Sequence, residues 1–131
     1  MKNILAVDVG LKRIGLAKYV QNIPLPITPI LRKNRNQAAE VLQEFVINNK
    51  IDILVVGIPK ESNSDMEIRI KHFIGLLNLP QEVEVCFVDE SFSSVEASQR
   101  VRGSKGVKKK DGKLDSLAAL MILEYYLIGK K

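Results

Sequence analysis

One cysteine and one histidine in 131 residues leave little scope for thiol or soft-metal chemistry. Cys86 has no second cysteine to pair with, which excludes an internal disulfide and any multi-cysteine zinc site. It lies in the apolar run 83–88 and reads as core filling, the usual place of a free cysteine. His72, the sole imidazole, sits off the apolar stripe of its segment and reads as a surface residue. Ser91, Ser93, Ser94 and Ser116 therefore lack a base, and none stands in a nucleophile-elbow pattern, so serine hydrolysis is not encoded. Tryptophan is absent and aromatic residues make up 5% of the chain, so base stacking is not a main device. There is no P-loop and no G-x-G-x-x-G. No apolar run approaches the roughly 20 residues of a membrane helix. The N-terminus also lacks the zones of a signal peptide, so the expectation is a cytoplasmic chain with no membrane partner.

What is present fits one globular domain, 1–131. The hydrophobic fraction is 46% and the charged fraction 27%, and the length suffices for a sizeable core. The net charge of +5 suits a partner rich in phosphate. Its distribution says more: Arg100, Arg102, Lys105, Lys108, Lys109, Lys110 and Lys113 stand against the single acid Asp111 within 100–113. Glycines punctuate 103–112, so this reads as a basic loop, a solvated segment or a nucleic-acid contact.

The strongest local signal is at the start. The run Ile4-Leu5-Ala6-Val7-Asp8-Val9-Gly10 carries one carboxylate through an apolar strand to a turn, and the apolar pattern resumes from Ile14 to Tyr19. That is a hairpin with Gly10 in its turn. Burying an unpaired carboxylate costs several kcal/mol or more, so Asp8 needs a partner. Either it forms a structural ion pair with Lys12 or Arg13, or it belongs to a functional site.

Pro24, Pro26 and Pro29 mark an extended segment fit only for a sheet edge. Ala38, Val41, Leu42, Phe45 and Val46 then recur at helical spacing, with Asn36 as the expected cap and Asn48 and Asn49 as the end. The run 51–57 reads as a strand covered on both faces, joined to the first strands by a parallel crossover. A polar loop, 58–65, leads to a helix with Met66, Ile70, Phe73 and Leu77 on one stripe, closed by Asn78 and Pro80. A further buried strand, 83–88, runs into Asp89 and Glu90. Residues 95–101 predict a helix. The last helix, from about Lys113, carries Leu114, Leu117, Ala118, Met121, Tyr125 and Ile128 on one face and Leu120, Leu123 and Leu127 on another, so it is expected to be largely buried. The order β-β-β-α-β-α-β-α-α predicts an α/β fold. Its mixed five-stranded sheet has three antiparallel strands, then parallel ones, with helices on its faces.

Asp8, Glu90 and Asp115 each stand where an apolar element meets a polar segment. Strands running in the same direction bring Asp8 and Glu90 to one sheet edge, where open α/β sheets bind ligands, and Asp115 opens a helix packed on that sheet. Clustered carboxylates need a cation, and oxygen-only donors suit Mg²⁺ or Mn²⁺. Such a site ringed by lysines suits phosphodiester cleavage. The structural alternative makes Asp115 a helix-dipole residue and Asp89-Glu90 turn polarity.

Four ordered motifs span the chain: Asp8-Val9-Gly10-Leu11-Lys12-Arg13-Ile14-Gly15-Leu16-Ala17, Val55-Val56-Gly57-Ile58-Pro59, Val88-Asp89-Glu90-Ser91-Phe92-Ser93-Ser94-Val95-Glu96-Ala97, and Lys113-Leu114-Asp115-Ser116-Leu117-Ala118-Ala119. Together they resemble the YqgF (RuvX-like) family. The resemblance implies a ribonuclease H-like fold and a nuclease, either of the 5′ end of pre-16S ribosomal RNA or of Holliday junctions. It also implies that Asp8, Glu90 and Asp115 form a magnesium-dependent catalytic site, with Lys12 and Arg13 as phosphate contacts. The lysines of the basic loop, Lys105, Lys108, Lys109 and Lys110, with Lys113, would lie over the substrate. The chain departs from the family pattern at Ser91, where the family usually has Arg, at Ser93-Ser94, where it has Thr pairs, and in a shorter loop after Gly57-Ile58-Pro59.

The leading expectation is thus an endonuclease of ribosomal RNA maturation. Branched DNA is the alternative substrate, and a junction resolvase would need two sites and so a homodimer, where an RNA nuclease can be a monomer. A second class is a non-catalytic RNA-binding assembly factor, which would keep its function without the three carboxylates. A phosphotransferase is excluded because such enzymes need a second, similar domain.

Overall fold

A computed structural model describes residues 2–10, 12–58, 64–89 and 113–129, with 64, 89 and 113–115 taken as backbone positions. The expected helix at 95–101, the basic loop 103–112, Glu90 and most of the loop after Ile58 lie outside the described residues.

Five strands form one sheet in the order β3-β2-β1-β4-β5. β1 (Ile4–Val9), β2 (Arg13–Val20) and β3 (Ile23–Leu31) are antiparallel neighbours. After α1 (Arg35–Asn48), β4 (Ile53–Ile58) returns parallel to β1. After α2 (Ser64–Gly75), β5 (Glu84–Asp89) lies parallel to β4. The chain closes with α3 (Lys113–Gly129). The mixed sheet and its crossovers match the expected order, and the proline-rich β3 is an edge strand.

Strand alternation divides the core into two layers. Leu5, Val7 and Val9 of β1 face α1 and α2 and pack with Leu42, Val46, Ile70 and Phe73. Ile4 and Ala6 face the other way, toward Ala119, Ile122, Leu123 and Tyr126 of α3. Helices therefore cover both faces of the sheet. The α3 side is built on small residues, Ala6, Ala17 and Ala119, all fully buried, which lets α3 approach the strands closely.

Three sequence expectations need correction. The cap of α1 is Asn34, not Asn36: its side chain accepts from the Gln37 N–H at 2.8 Å, so the helix starts at Arg35. β5 is not buried on both faces, because it is the last strand of the described sheet; Phe87 is exposed and Cys86 half-buried. The covered face of α3 is also rotated from the expected one. Ser116, Leu117, Ala119, Ile122, Leu123 and Tyr126 are buried, while Tyr125 and Ile128 are 46% and 68% exposed. A helix with apolar side chains nearly all round does not specify its own rotation, and here packing on the sheet decides it.

Candidate functional site

Asp8 is the fifth of six residues in β1, half-buried, and by alternation with Ile4 and Ala6 it projects to the α3 side of the sheet. Its antiparallel partner is Gly15, which puts no side chain beside the carboxylate. On the other flank the last parallel pair is Val7 with Val56, and the residue after Val56 is again a glycine, Gly57. The carboxylate thus stands at the carboxyl end of a central strand between two backbone positions without side chains. That is the edge at which open α/β sheets receive ligands.

The turn that follows Asp8 is built tightly. Gly10 N–H donates to the Arg13 carbonyl at 3.0 Å, and a Cβ on Gly10 would lie 2.6 Å from that carbonyl oxygen, so only glycine fits. Arg32, just past β3, fastens the turn from outside: its backbone N–H donates to the Lys12 carbonyl at 2.9 Å and its Nη1 to the Gly10 carbonyl at 2.8 Å. The Phe73 ring supports the same guanidinium, 5.2 Å from its centroid. Lys12 and Arg13, the phosphate contacts implied by the resemblance, are exposed in and after this turn.

On the α3 side, Asp115 lies in the helix's first turn and the next residue, Ser116, is fully buried. The β2–β3 ladder changes register between Ile14 and Leu16, and the Ser116 hydroxyl enters there. It accepts from the Leu16 N–H at 3.3 Å and donates to the Ile27 carbonyl. Leu16 directly follows Gly15, the partner of Asp8. One hydroxyl therefore ties the backbone that carries Asp115 to β2 and β3, and so to the strand that pairs with the one carrying Asp8. Sequence reasoning considered Ser116 only as a nucleophile and missed this role. The available signal was its place three residues before Ala119 and seven before Leu123, on the buried stripe of the helix.

Among the expected acids, the structure brings the Asp8 strand and the Asp115 backbone to one region. Glu90 directly follows Asp89, the last residue of β5, and lies outside the described residues, as do Lys105, Lys108, Lys109 and Lys110. Lys113 is the first residue of α3. Asp52, an acid within the run 51–57, is at the opposite edge. Its Oδ2 accepts from the Asn3 N–H at 2.7 Å, a structural bond at the start of β4. His72 is exposed, 3.4 Å from Arg35 Nη1 through its Nδ1. No group of three or more potential metal ligands is assembled among the described residues, and none of their helices is long and apolar enough to cross a membrane.

Residues 2–128 match the model of the RuvX family, described as Holliday junction resolvase. A protein of Helicobacter hepaticus is 47% identical over 98% of this chain and 96% of its own length, and one of Campylobacter jejuni subsp. doylei is 49% identical over 93% and 94%. Both carry the name "Putative pre-16S rRNA nuclease". Among solved structures, T. thermophilus RuvC in complex with a Holliday junction substrate superposes with a TM-score of 0.64 at 12% identity, covering 100% of this chain and 98% of that one. The fowlpox virus resolvase with its junction DNA gives 0.62 at 17% identity, covering 98% and 99%. At these identities the likeness is one of fold, and it fits the ribonuclease H-like sheet order expected from the sequence.

Proposed function

The chain belongs to the RuvX Holliday junction resolvase family, and from that premise we propose that it is a metal-dependent endonuclease, one that processes the 5′ end of precursor 16S ribosomal RNA in the cytoplasm during ribosome biogenesis. The observation that carries this reading is the Ser116 hydroxyl, which holds the first turn of α3, with Asp115, against β2 and β3, and β2 is the strand that pairs with Asp8 through Gly15. Glu90, following a strand parallel to β4 as β1 is, completes the proposed set. The names of the close relatives support ribosomal RNA as substrate.

The three carboxylates offer oxygen donors only, which fits Mg²⁺ or Mn²⁺ and not zinc. Gly15, the strand partner of Asp8, adds no side chain of its own beside the carboxylate. Asp8, Glu90 and Asp115 would hold the cation, which would supply Lewis-acid polarisation and charge neutralisation to the phosphodiester. The chain's own residues position the reaction. Asp8 comes from a central strand, so its backbone is fixed on both flanks, and Asp115 is fixed through Ser116. Lys12 and Arg13 hold phosphates next to the scissile one, and Lys105, Lys108, Lys109, Lys110 and Lys113 hold the strand beyond it. Water attacks phosphorus in line and gives up a proton to solvent, the P–O3′ bond breaks, and the leaving 3′-oxygen takes a proton from solvent to become a hydroxyl, with the phosphate left on the 5′ side.

A second reading, resolution of branched DNA, is favoured by the family's description and by the fold shared with two junction resolvases. It requires a homodimer, because a junction is cut on two strands, whereas the RNA reaction runs on a monomer. A labelled precursor RNA fragment and a synthetic four-way DNA junction, incubated in parallel with Mg²⁺ and with chelator, separate the two. RNA cleavage that needs the metal supports the first reading, and cleavage of the junction alone moves the assignment to DNA. Binding of RNA with no cleavage of either substrate leaves a ribosome-assembly factor in place of the enzyme.

A further inference from the structure

Beyond the carboxylate site, one cavity of about 180 Å³ opens beside the end of β1, lined by Val9, Arg32, Arg35, Met66, Arg69 and Ile70. Its floor is apolar, and three guanidinium groups from three elements converge on it: the end of β3, the first turn of α1 and the middle of α2. Among the described residues no carboxylate lines it. Among the described residues none of the three arginines is held in an ion pair, and Asp65, one turn before Arg69 on α2, makes none with it. Converging like charges are costly unless an anion joins them. Arg32 is already immobilised by the Gly10 carbonyl and the Phe73 ring, so its fork is preorganised. Arg35 and Arg69 are exposed, Arg35 with its Nη1 3.4 Å from His72 Nδ1, and both can close on a ligand.

The position of the cavity decides what the ligand is. Val9, in its wall, is the residue after Asp8, and the two side chains point to opposite faces of the sheet. The cavity and the carboxylate therefore flank the same strand end, one on the α1 and α2 side and one on the α3 side. A polyanion crossing this edge meets both. We propose that Arg32, Arg35 and Arg69 form a phosphate-binding site for a backbone phosphate of the nucleic-acid substrate away from the scissile bond, gripping the strand where it leaves the cleavage site. This rests on the nuclease reading. It adds a second anchor that neither the terminal basic loop nor Lys12 and Arg13 supplies. Guanidinium is suited to the task because its fork meets phosphate oxygens bidentately.

Binding measured without catalysis tests the site. The full chain, in chelator, is titrated with a short labelled single-stranded RNA and with the DNA of the same sequence over a range of salt concentrations. The proteins compared are wild type, the double variant Arg35→Gln/Arg69→Gln, Arg69→Lys, and Lys2→Gln as a charge loss at the opposite sheet edge. Arg32 is left intact because it holds the β1–β2 turn, and thermal melts establish that the variants fold. The expected result is a several-fold weaker affinity for the double variant, with a plot of log affinity against log salt shallower by about 0.7 for each single-strand phosphate no longer neutralised. Arg69→Lys keeps the slope and loses part of the affinity, and Lys2→Gln behaves as wild type. If RNA and DNA weaken together, the site reads the shared phosphodiester; if only RNA weakens, the 2′-hydroxyl contributes to the same grip. A double variant with wild-type affinity and slope, or one matched by Lys2→Gln, overturns the site and leaves the nuclease reading standing. Failure of the wild-type protein to bind either nucleic acid overturns both.

Discussion

At the scale of single residues, the hydroxyl of Ser116 and the missing side chain of Gly10 hold the backbone next to Asp115 and Asp8. Ser116 is buried and satisfies two backbone groups at the β2–β3 register change, and its partners lie 100 and 89 residues away in the chain. In Ser116→Ala both the Leu16 N–H and the Ile27 carbonyl lose that partner, a cost of about 1–3 kcal/mol expected for buried polar groups left unsatisfied. Urea unfolding measures it. Because Asp115 is the adjacent residue, nuclease activity should fall further than the folded fraction does, and unchanged activity in the folded variant would remove the positioning role. Gly10→Ala sets a Cβ 2.6 Å from the Arg13 carbonyl oxygen. The turn must open, and about 1–3 kcal/mol of destabilisation, typical of overpacking, should appear in the same unfolding assay. Asp8 was legible in the sequence because a carboxylate inside an apolar run needs a reason. Ser116 was not, because its function exists only once a bulge in two distant strands presents an N–H and a carbonyl to it.

Between elements, α2 supports the turn that follows Asp8 from the α1 and α2 side of the sheet. Phe73 is buried in the α1 and α2 layer and carries the Arg32 guanidinium on its face. Arg32 in turn holds the Gly10 and Lys12 carbonyls of the β1–β2 turn. Phe73→Ala should cost about 3–5 kcal/mol, as expected for removing a buried aromatic ring. It should also loosen that turn, read as faster amide exchange at Gly10, whose N–H bonds the Arg13 carbonyl. Faster exchange confined to α2 would contradict the link. Element order and strand direction were readable from hydrophobic period and proline placement. The covered face of α3 was not: with apolar residues on most sides, its rotation follows from the small residues Ala6, Ala17 and Ala119 and from the Ser116 bond. The boundary at Asn34 was missed because two asparagines stand within three residues, and only the bond to Gln37 distinguishes them.

At the scale of the whole molecule, the sheet order brings the Asp8 strand end, the Asp115 turn and the arginine-lined cavity to one region, while Asp52 and Asn3 close the opposite edge with structural bonds. The sequence disclosed the basic segment 100–113 because its charges are contiguous. It concealed Arg32, Arg35 and Arg69, which lie on three elements and meet only after the crossovers are made. A net charge of +5 with cations gathered at that edge predicts that nucleic-acid affinity falls linearly with log salt. An affinity indifferent to salt would exclude backbone recognition.

In the proposed function Asp8 acts in phosphodiester cleavage and does not merely support the fold. Single-turnover cleavage of a precursor 16S ribosomal RNA fragment in Mg²⁺ by wild type and by Asp8→Asn, with RNA affinity recorded for each, tests it most directly. Asp8→Asn is expected to bind the RNA as wild type does and to leave it uncut. Cleavage by Asp8→Asn at the wild-type rate would contradict that role.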